Sequence, residues 1–259
     1  MNGRDRERAL VTGASAGIGA EIARLLAEEG VNLVLTARRR DRLEALAEQL
    51  RAAHRVDVDV IAVDLGTTDG PGGLADEVRD RELPIDILVN NAGFGARGAF
   101  LDIPLDRQLE MIRLNVMALI ELTGRLAPAM RSRGRGGVLN VGSLAGFQPG
   151  PHMAIYYATK AMVLSFSEAL HTELKGTGVH VSCLCPGPTE TEFTEVAGMR
   201  GSRLFKAGTM TAEAVARAGL RGLRRNQAVV IPGVRQKIVP QLERLMPRAM
   251  VRWLSSKVQ

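Results

Sequence analysis

Short apolar runs rich in β-branched residues alternate with amphipathic stretches along most of this chain, and that alternation restricts the folds open to it. Each run has four to seven residues, as expected for strands buried on both faces. The predicted strands are Arg8–Thr12, Asn32–Ala37, Asp57–Val63, Ile85–Asn90, Gly137–Val141, His180–Leu184 and Ala228–Ile231. The predicted helices between them are Ile18–Glu29, Arg40–Ala53, Gly72–Arg81, Leu105–Arg133, Ile155–Lys175 and Thr211–Leu223. Right-handed βαβ crossovers then predict an α/β fold, a doubly wound Rossmann-like three-layer sandwich with a mostly parallel seven-stranded sheet.

The chain shows no internal repeat and no low-complexity linker, so we predict a single domain over residues 1–259. Residues 1–231 form its core and residues 232–259 a basic amphipathic extension. Hydrophobic residues make up 46% and charged residues 24% of the chain, which argues against a disordered or fibrous protein. Aromatic residues make up only 3%, so few side chains could stack on bases. With no recognised nucleic-acid module, we predict no nucleic-acid partner.

The N-terminal sequence predicts a cytoplasmic protein. Charged residues fill positions 4 to 8 and no apolar segment follows them, which fits neither a secretory signal nor a transit peptide. No segment approaches the roughly 18 apolar residues of a membrane span.

We predict neither a disulfide nor a metal site. Cys183 and Cys185 lie two residues apart in an apolar run, where an extended chain places both on one face, poorly placed for a mutual disulfide. We interpret them as core residues. His152 has no metal-ligating neighbours in the sequence and is interpreted as a surface loop residue.

A glycine-rich turn follows the first predicted strand. The sequence Thr-Gly-Ala-Ser-Ala-Gly-Ile-Gly at 12–19 opens the first predicted helix, where free backbone N–H groups and the helix dipole attract an anion. Glycine lets the backbone approach a pyrophosphate closely. The turn therefore predicts a cofactor site, with a tight strand-to-helix corner as the alternative.

The end of the second predicted strand predicts which dinucleotide binds. NAD-binding proteins carry an acidic residue about 20 residues beyond the glycine loop, whereas a nearby Arg suits the 2′-phosphate of NADP. Here Ala37 is followed by Arg38, Arg39 and Arg40, with no acidic residue at that point. A guanidinium group is a planar, bidentate phosphate donor, so we predict NADP(H) with Arg38 as the phosphate contact. The alternative is that these arginines begin a solvated helix.

Tyr156 and Lys160 lie four residues apart and share one face of a predicted helix. Lowering a tyrosine pKa from about 10 to about 7 needs roughly 4 kcal/mol of phenolate stabilisation. A nearby ammonium group supplies an attraction of that sign and scale. We predict that Tyr156 is an acid/base whose pKa Lys160 lowers. Tyr157 has no lysine four residues on and is predicted to be a packing residue.

Together these motifs resemble the short-chain dehydrogenase/reductase family from about Arg8 to Ile231. The resemblance is carried by the glycine motif at 12–19, Asn-Asn-Ala-Gly at 90–93, Asn115, Ser143, Tyr156, Lys160 and Pro186-Gly187. It implies that Tyr156 protonates a carbonyl oxygen as hydride leaves the nicotinamide, and the reverse in oxidation. It further implies that Ser143 hydrogen-bonds the substrate oxygen, that Lys160 holds the nicotinamide ribose, and that Asn115 anchors a proton-supplying water chain.

The resemblance also implies the cofactor contacts. Asp64 would meet the adenine amino group, the turn at 91–93 the adenosine, and residues 186–191 the nicotinamide amide. The predicted cofactor-binding residues are Gly13, Ser15, Ala16, Gly17, Ile18, Gly19, Arg38, Asp64, Leu65, Asn91, Ala92, Gly93, Tyr156, Lys160, Pro186, Gly187, Thr189 and Thr191. Structural alternatives stay open: Asn90 and Asn91 could tie strands, Thr191 could cap a helix, and Asn115 could be structural. The family also implies a homodimer or homotetramer.

Apolar side chains lie in the three segments expected to surround the substrate. They are Phe94, Leu144, Phe147, Met153, Phe193, Met199, Leu204 and Phe205. An apolar pocket favours a hydrophobic carbonyl compound, such as an acyl thioester, over a bare sugar. We therefore predict an oxidoreductase acting on a carbonyl or secondary alcohol, with a non-catalytic NADP sensor as the alternative.

The last quarter of the chain is strongly basic. Residues 200–259 hold 13 Lys and Arg against 2 Asp and Glu, whereas residues 1–199 hold 21 against 26. Beyond Ile231, apolar residues recur at helical spacing, and Pro240 and Pro247 are predicted to divide this segment into short helices. The sequence favours packing of its apolar face on the same or a partner subunit. The alternative is an anionic partner, either an acidic membrane surface or an acyl group on coenzyme A or an acidic carrier protein.

Overall fold

Seven parallel strands form the central sheet. The computed structural model describes residues 6–193, 197 and 208–258. Its strands are β1 (Arg8–Thr12), β2 (Asn32–Ala37), β3 (Val58–Ala62), β4 (Ile87–Asn90), β5 (Gly136–Val141), β6 (Val179–Leu184), β7 (Thr189–Glu190), β8 (Met210–Thr211) and β9 (Val229–Val230). The main sheet runs in the order β3-β2-β1-β4-β5-β6-β9, with every neighbouring pair parallel. The predicted fold class is confirmed, and each predicted strand is correct to within two residues.

Helices cover both faces of the sheet. They are α1 (Gly17–Glu28), α2 (Arg40–His54), α3 (Gly70–Asp80), α4 (Leu105–Ile112), α5 (Ala118–Arg133), α6 (Ala154–Glu173), α7 (Ala212–Arg224), α8 (Val234–Leu245) and α9 (Arg248–Val258). Apolar side chains of α1, α2 and α7 pack on one face, and those of α3 and α5 pack on the other. Because both faces are covered, the strands are apolar throughout rather than alternating.

Two details differ from the sequence-based prediction. The single helix predicted over Leu105–Arg133 is interrupted by a π-helical turn at Arg113–Met117. Such turns insert one residue into a helix and occur often at functional sites. The strands β7 and β8, paired with each other, were not predicted, because two-residue strands carry no periodicity.

The C-terminal extension forms α8 and α9, and α8 packs against a 3₁₀ turn at Leu144–Phe147. The predicted break at Pro247 is confirmed, whereas the predicted break at Pro240 is wrong, because Pro240 lies inside α8. Proline inside a helix costs one backbone hydrogen bond. Pro240 is buried, so its ring packs against the protein where the backbone hydrogen bond is lost.

The two cysteines are core residues, as predicted. Cys183 and Cys185 are fully buried free thiols whose Sγ atoms lie 3.6 Å apart.

Candidate active site

A cavity of about 910 Å³ opens at the carboxyl edge of the sheet. It lies where the strand order reverses beside β1 and β4, the place where open α/β sheets bind ligands. Residues that follow six strands contribute to its wall: Gly13, Arg38, Asp64, Asn91, Ser143 and Pro186. The volume is at the upper end of the usual range for ligand pockets.

The glycine turn between β1 and α1 is held by its neighbours. Gly13 has φ +66°, and a Cβ atom there would lie 2.8 Å from Asn91 Nδ2, so this position requires glycine. Asn91 Nδ2 donates to the carbonyl oxygens of Thr12 at 2.9 Å and Gly13 at 3.2 Å. No side chain caps the N-terminus of α1, and Ala16, the residue just before the helix, lines the cavity. The helix therefore offers its N-terminal N–H groups to an anion.

Arginines after β2 and a carboxylate after β7 meet beside this turn. Arg39 Nη2 donates to Ser15 Oγ at 3.0 Å, and Arg39 Nη1 lies 2.9 Å from Glu192 Oε2. Arg42 donates to the same carboxylate, and the two guanidinium groups hold the pKa of Glu192 below its usual range through hydrogen bonds and charge. Glu192 thus neutralises part of the positive charge of Arg39 and Arg42 beside the turn.

Arg38 lies beside this group with its side chain 63% exposed. Its Nη1 atom is 3.9 Å from Asp64 Oδ2 and 3.8 Å from Glu110 Oε1. Both distances are longer than hydrogen bonds, so the guanidinium group keeps its donors available at the cavity wall.

Ser143, Tyr156 and Lys160 line the same cavity at its inner end. Ser143 follows β5, and its Oγ accepts a hydrogen bond from Ala145 N at 3.1 Å. Lys160 is buried, donates from Nζ to Val141 O at 2.7 Å, and lies 5.9 Å from the centre of the Tyr156 ring. The helical spacing of Tyr156 and Lys160 on α6 therefore brings a phenol and an ammonium group to one site.

A family model for short chain dehydrogenase matches residues 7–199. The chain belongs to the short-chain dehydrogenase family. The ketoacyl reductase HetN of Nostoc sp. (strain PCC 7120) is 34% identical over 238 residues, which cover 92% of this chain and 82% of that protein. A solved short-chain dehydrogenase from Sphingobium yanoikuyae, in complex with NADPH, is 34% identical with a TM-score of 0.84, covering 98% of this chain and 96% of that chain. A bulky-bulky ketone specific alcohol dehydrogenase from Comamonas testosteroni is 33% identical with a TM-score of 0.79, covering 92% of each chain.

Membership of this family confirms the prediction of an oxidoreductase. All but one of the predicted cofactor-binding residues line the cavity: Gly13, Ser15, Ala16, Gly17, Ile18, Arg38, Asp64, Leu65, Asn91, Ala92, Gly93, Tyr156, Lys160, Pro186, Gly187, Thr189 and Thr191. Gly19 is the exception. A Cβ atom on Gly19 would lie 2.4 Å from Asn91 Nδ2 and 2.5 Å from Gly13 O. Gly19 is therefore required for close packing of α1 on the turn.

Asn115 does not line the cavity either. It lies in the π-helical turn, where Phe94 N donates to its Oδ1 at 3.0 Å and its Nδ2 donates to Phe94 O at 2.9 Å. A further bond joins Nδ2 to Thr159 Oγ1 at 3.2 Å. The side chain thus holds the Gly93–Phe94 turn against α6.

The pKa of Tyr156 departs from its ordinary value in the direction opposite to that predicted. Burial raises it, and the hydrogen bond with Ser143 opposes that effect only in part. Burial also lowers the pKa of Lys160 to about 8. Burial disfavours the charged form of both side chains, the phenolate of Tyr156 and the ammonium group of Lys160, because a buried charge loses its hydration. The raised pKa of Tyr156 favours the protonated phenol at neutral pH.

Apolar side chains surround the rest of the cavity. Phe94, Leu144, Met153 and Phe193 line it, as predicted, whereas Phe147 instead packs beside the core around Cys183. The predicted Met199, Leu204 and Phe205 lie outside the described residues. Tyr157 is buried and packs against Tyr156 with ring centres 6.1 Å apart, consistent with its predicted packing role.

Several cavity residues were missed in the sequence. They are Arg39, Gln148, Glu192, Gln236, Leu242, Met246, Leu254 and Ser255. The last four show that α8 and α9 cover part of the active site. The helical spacing of apolar residues after Ile231 signalled packing of this kind, although it did not indicate the surface that receives it.

None of the helices in the described part of the chain is long and apolar enough to cross a bilayer. The described residues also contain no group of three or more His, Cys, Asp or Glu side chains that could hold a metal ion.

Proposed function

We propose that this protein is an NADP(H)-dependent oxidoreductase. It transfers a hydride between the nicotinamide and the carbonyl or secondary alcohol carbon of a bulky hydrophobic or acyl-type substrate. The observation that carries the proposal is the inner end of the cavity, where the phenol of Tyr156 lies beside Ser143 and Lys160 and faces apolar walls.

The residues on the cofactor side of the cavity fit a dinucleotide phosphate. The uncapped N-terminus of α1 suits the pyrophosphate. Arg38 and Arg39, with Ser15, suit the additional 2′-phosphate. Asp64 and the turn at 91–93 suit the adenosine, and Pro186, Gly187, Thr189 and Thr191 suit the nicotinamide amide. The Sphingobium yanoikuyae structure holds NADPH, which supports this preference.

The acid/base step falls to Tyr156. When bound, the cofactor supplies a hydride for the carbonyl carbon. Tyr156 gives its phenolic proton to the carbonyl oxygen, and Ser143 donates a hydrogen bond to the same oxygen. The positive charge on Lys160 stabilises the phenolate that remains, and Asn115 acts as a positioning residue through the Gly93–Phe94 turn. Burial raises the pKa of Tyr156 and so favours its protonated form, which is the form that reduction requires.

The substrate class follows from the walls of the cavity. Phe94, Met153 and Phe193 are apolar, and Leu242 and Leu254 extend that surface toward the C-terminal helices. The names of two relatives, a bulky-bulky ketone specific alcohol dehydrogenase and a ketoacyl reductase, support the same class. An anionic acyl thioester remains among the substrates we propose.

A substrate panel tests this proposal. We expect NADPH oxidation, followed by absorbance, with aryl ketones and 3-oxoacyl thioesters, and kcat/KM at least about tenfold lower with short polar ketones and sugars. Sugars reduced as well as hydrophobic ketones would contradict the substrate class. NADPH binding without turnover of any carbonyl compound would instead favour a redox sensor.

A second prediction concerns the arginine cluster formed by Arg38, Arg39 and Arg42. Replacing Arg38 or Arg39 by alanine is expected to raise the Kd for NADPH about tenfold or more, because each removes a charge-assisted hydrogen bond to phosphate. The Kd for NADH should change by less than about twofold. Binding titrations that follow NADPH and NADH fluorescence measure both constants. An equal loss for the two cofactors would contradict the 2′-phosphate assignment.

The opposite change is expected at Glu192. Glu192→Gln removes the carboxylate that pairs with Arg39 and Arg42, so the Kd for NADPH should fall by about threefold. Glu190→Gln is the matched control, because Glu190 accepts a hydrogen bond from Thr209 and contacts no arginine of this cluster.

Three sequence-based predictions about the whole protein remain predictions. We propose that residues 1–259 form a single domain, with residues 232–259 covering the cavity of the core. The homodimeric or homotetrameric state and the cytoplasmic location likewise await measurement of mass in solution and of location in cells.

A further inference from the structure

The C-terminal helical pair, residues 234–258, has a side that packs on the protein. Val251 and Ser255 are buried, and Ser255 Oγ donates to Gln148 Oε1 at 3.0 Å. Met246 and Leu254 line the active-site cavity. These contacts are the packing on the same subunit that the sequence favoured.

The pair also has apolar side chains that remain exposed. The exposed fractions are 52% for Ile238, 55% for Leu242, 49% for Met250 and 60% for Trp253. Single exposed apolar residues are normal, but four large ones on two short helices indicate a surface with a partner. Leu242 is exposed and also lines the cavity, so this surface continues into the mouth of the active site.

Charge indicates the kind of partner. Residues 234–258 contain Arg235, Lys237, Arg244, Arg248, Arg252 and Lys257 against Glu243 alone. Lys237, Arg248 and Arg252 are exposed. Basic helices with exposed apolar residues and a tryptophan bind at the headgroup level of anionic bilayers.

A folded acidic protein fits this surface less well. A stable protein interface needs about 800 Å² of closely matched surface from each partner. A bilayer accepts apolar side chains that are spread over two helices, because lipids adapt to them.

We propose that the C-terminal helical pair docks on the surface of an anionic membrane, with Ile238, Met250 and Trp253 at the headgroup level. The mouth of the cavity then opens toward the lipid. Entry of a lipophilic carbonyl substrate from the bilayer rests on the proposed function, whereas the docking itself does not.

Residues 1–259 carry their own probe for this contact, because Trp253 is the single tryptophan among them. The protein is mixed with vesicles of phosphatidylcholine alone or of phosphatidylcholine with phosphatidylglycerol. We expect co-sedimentation with the anionic vesicles at least about tenfold stronger than with the neutral ones, weakening as salt rises. Trp253 emission should move to shorter wavelength and become protected from acrylamide quenching on binding.

Matched variants test which residues make the contact. Arg248→Gln with Arg252→Gln should lower anionic-vesicle binding by about fivefold per charge removed. The control is Arg79→Gln with Arg81→Gln, two exposed arginines at the end of α3, which should bind like the parent protein. Ile238→Asp and Met250→Asp should lower binding, whereas Leu101→Asp, at a 90% exposed position, should not. Turnover of a water-soluble ketone reports whether each variant is folded.

Four results would overturn the proposal. In the first two, the parent protein does not bind anionic vesicles, or the arginine variants bind them as strongly as the parent does. In the third, the protein binds an acidic acyl carrier protein but not vesicles. In the fourth, a second copy of the chain already shields Trp253 from acrylamide before vesicles are added. Loss of ketone turnover in the parent protein with vesicle binding intact would reject the proposed function alone.

Discussion

Replacing Tyr156 by phenylalanine is expected to lower kcat for ketone reduction with NADPH by about 10³-fold. The change removes the phenolic oxygen and its proton, while the ring keeps its contacts with Tyr157 and Phe193, whose ring centres lie 6.1 and 5.4 Å away. The Kd for NADPH and the melting temperature should therefore change little. Initial rates at saturating NADPH measure the effect.

The neighbouring tyrosine provides the control for this experiment. Tyr157→Phe removes the same oxygen one residue along α6, from a buried side chain that packs beside Tyr156 and also lines the cavity. We expect that variant to keep most of its kcat. Turnover that survives Tyr156→Phe would reject Tyr156 as the proton donor.

The raised pKa of Tyr156 sets the sign of its pH dependence. Reduction needs the protonated phenol, and that form persists through neutral pH because burial raises the pKa. Oxidation of the corresponding alcohol needs the phenolate, so its rate should increase as pH rises. Reduction and oxidation rates measured across pH 6 to about 10 should separate in this way.

Replacing Lys160 by methionine is expected to lower kcat/KM for reduction by about 10²-fold and to stabilise the fold by about 2 kcal/mol at pH 7. Activity falls because the phenolate loses its nearby positive charge. Stability rises because a buried ammonium group is removed, which outweighs the loss of the hydrogen bond to Val141 O. Denaturant unfolding and steady-state kinetics measure the two effects.

The stability effect should depend on pH in a defined window. Burial lowers the pKa of Lys160 from about 10.5 in the unfolded chain to about 8 in the folded protein. Between these values the unfolded chain holds a proton that the folded chain has released, so the parent protein gains stability as pH rises. Below pH 8 both states hold the proton, and the full penalty applies. The advantage of Lys160→Met should therefore shrink from pH 8 to 10.5.

The same group should shape the activity profile. In the free enzyme, kcat/KM for reduction is expected to decline above about pH 8 as Lys160 loses its charge, and this limb should be absent in Lys160→Met. Lys175→Met is the matched control, because Lys175 is exposed at the end of the same helical region. A stability gain in that control equal to the gain at Lys160 would reject burial as the cause.

The sequence by itself determined the parallel α/β fold and the positions of the seven strands of its main sheet. Hydrophobic runs and glycine positions depend on local backbone chemistry, so the βαβ units could be predicted. Tyr156 and Lys160 were paired by their helical spacing, whereas the part of Ser143 beside them was implied by the resemblance to the family. These inferences needed no knowledge of distant contacts.

Only the tertiary structure decided which side chains of the site are charged and which helices cover the cavity. The pairing of Glu192 with Arg39 and Arg42 joins segments far apart in the chain, which no local pattern reveals. In the π-helical turn, the side chain of Asn115 hydrogen-bonds to the backbone of Phe94. The contact of Ser255 in α9 with Gln148 places the basic C-terminal segment over the cavity. The raised pKa of Tyr156 has the same origin. Helical spacing brings an ammonium group near the phenol, but the packed neighbours that exclude water determine which group keeps its proton.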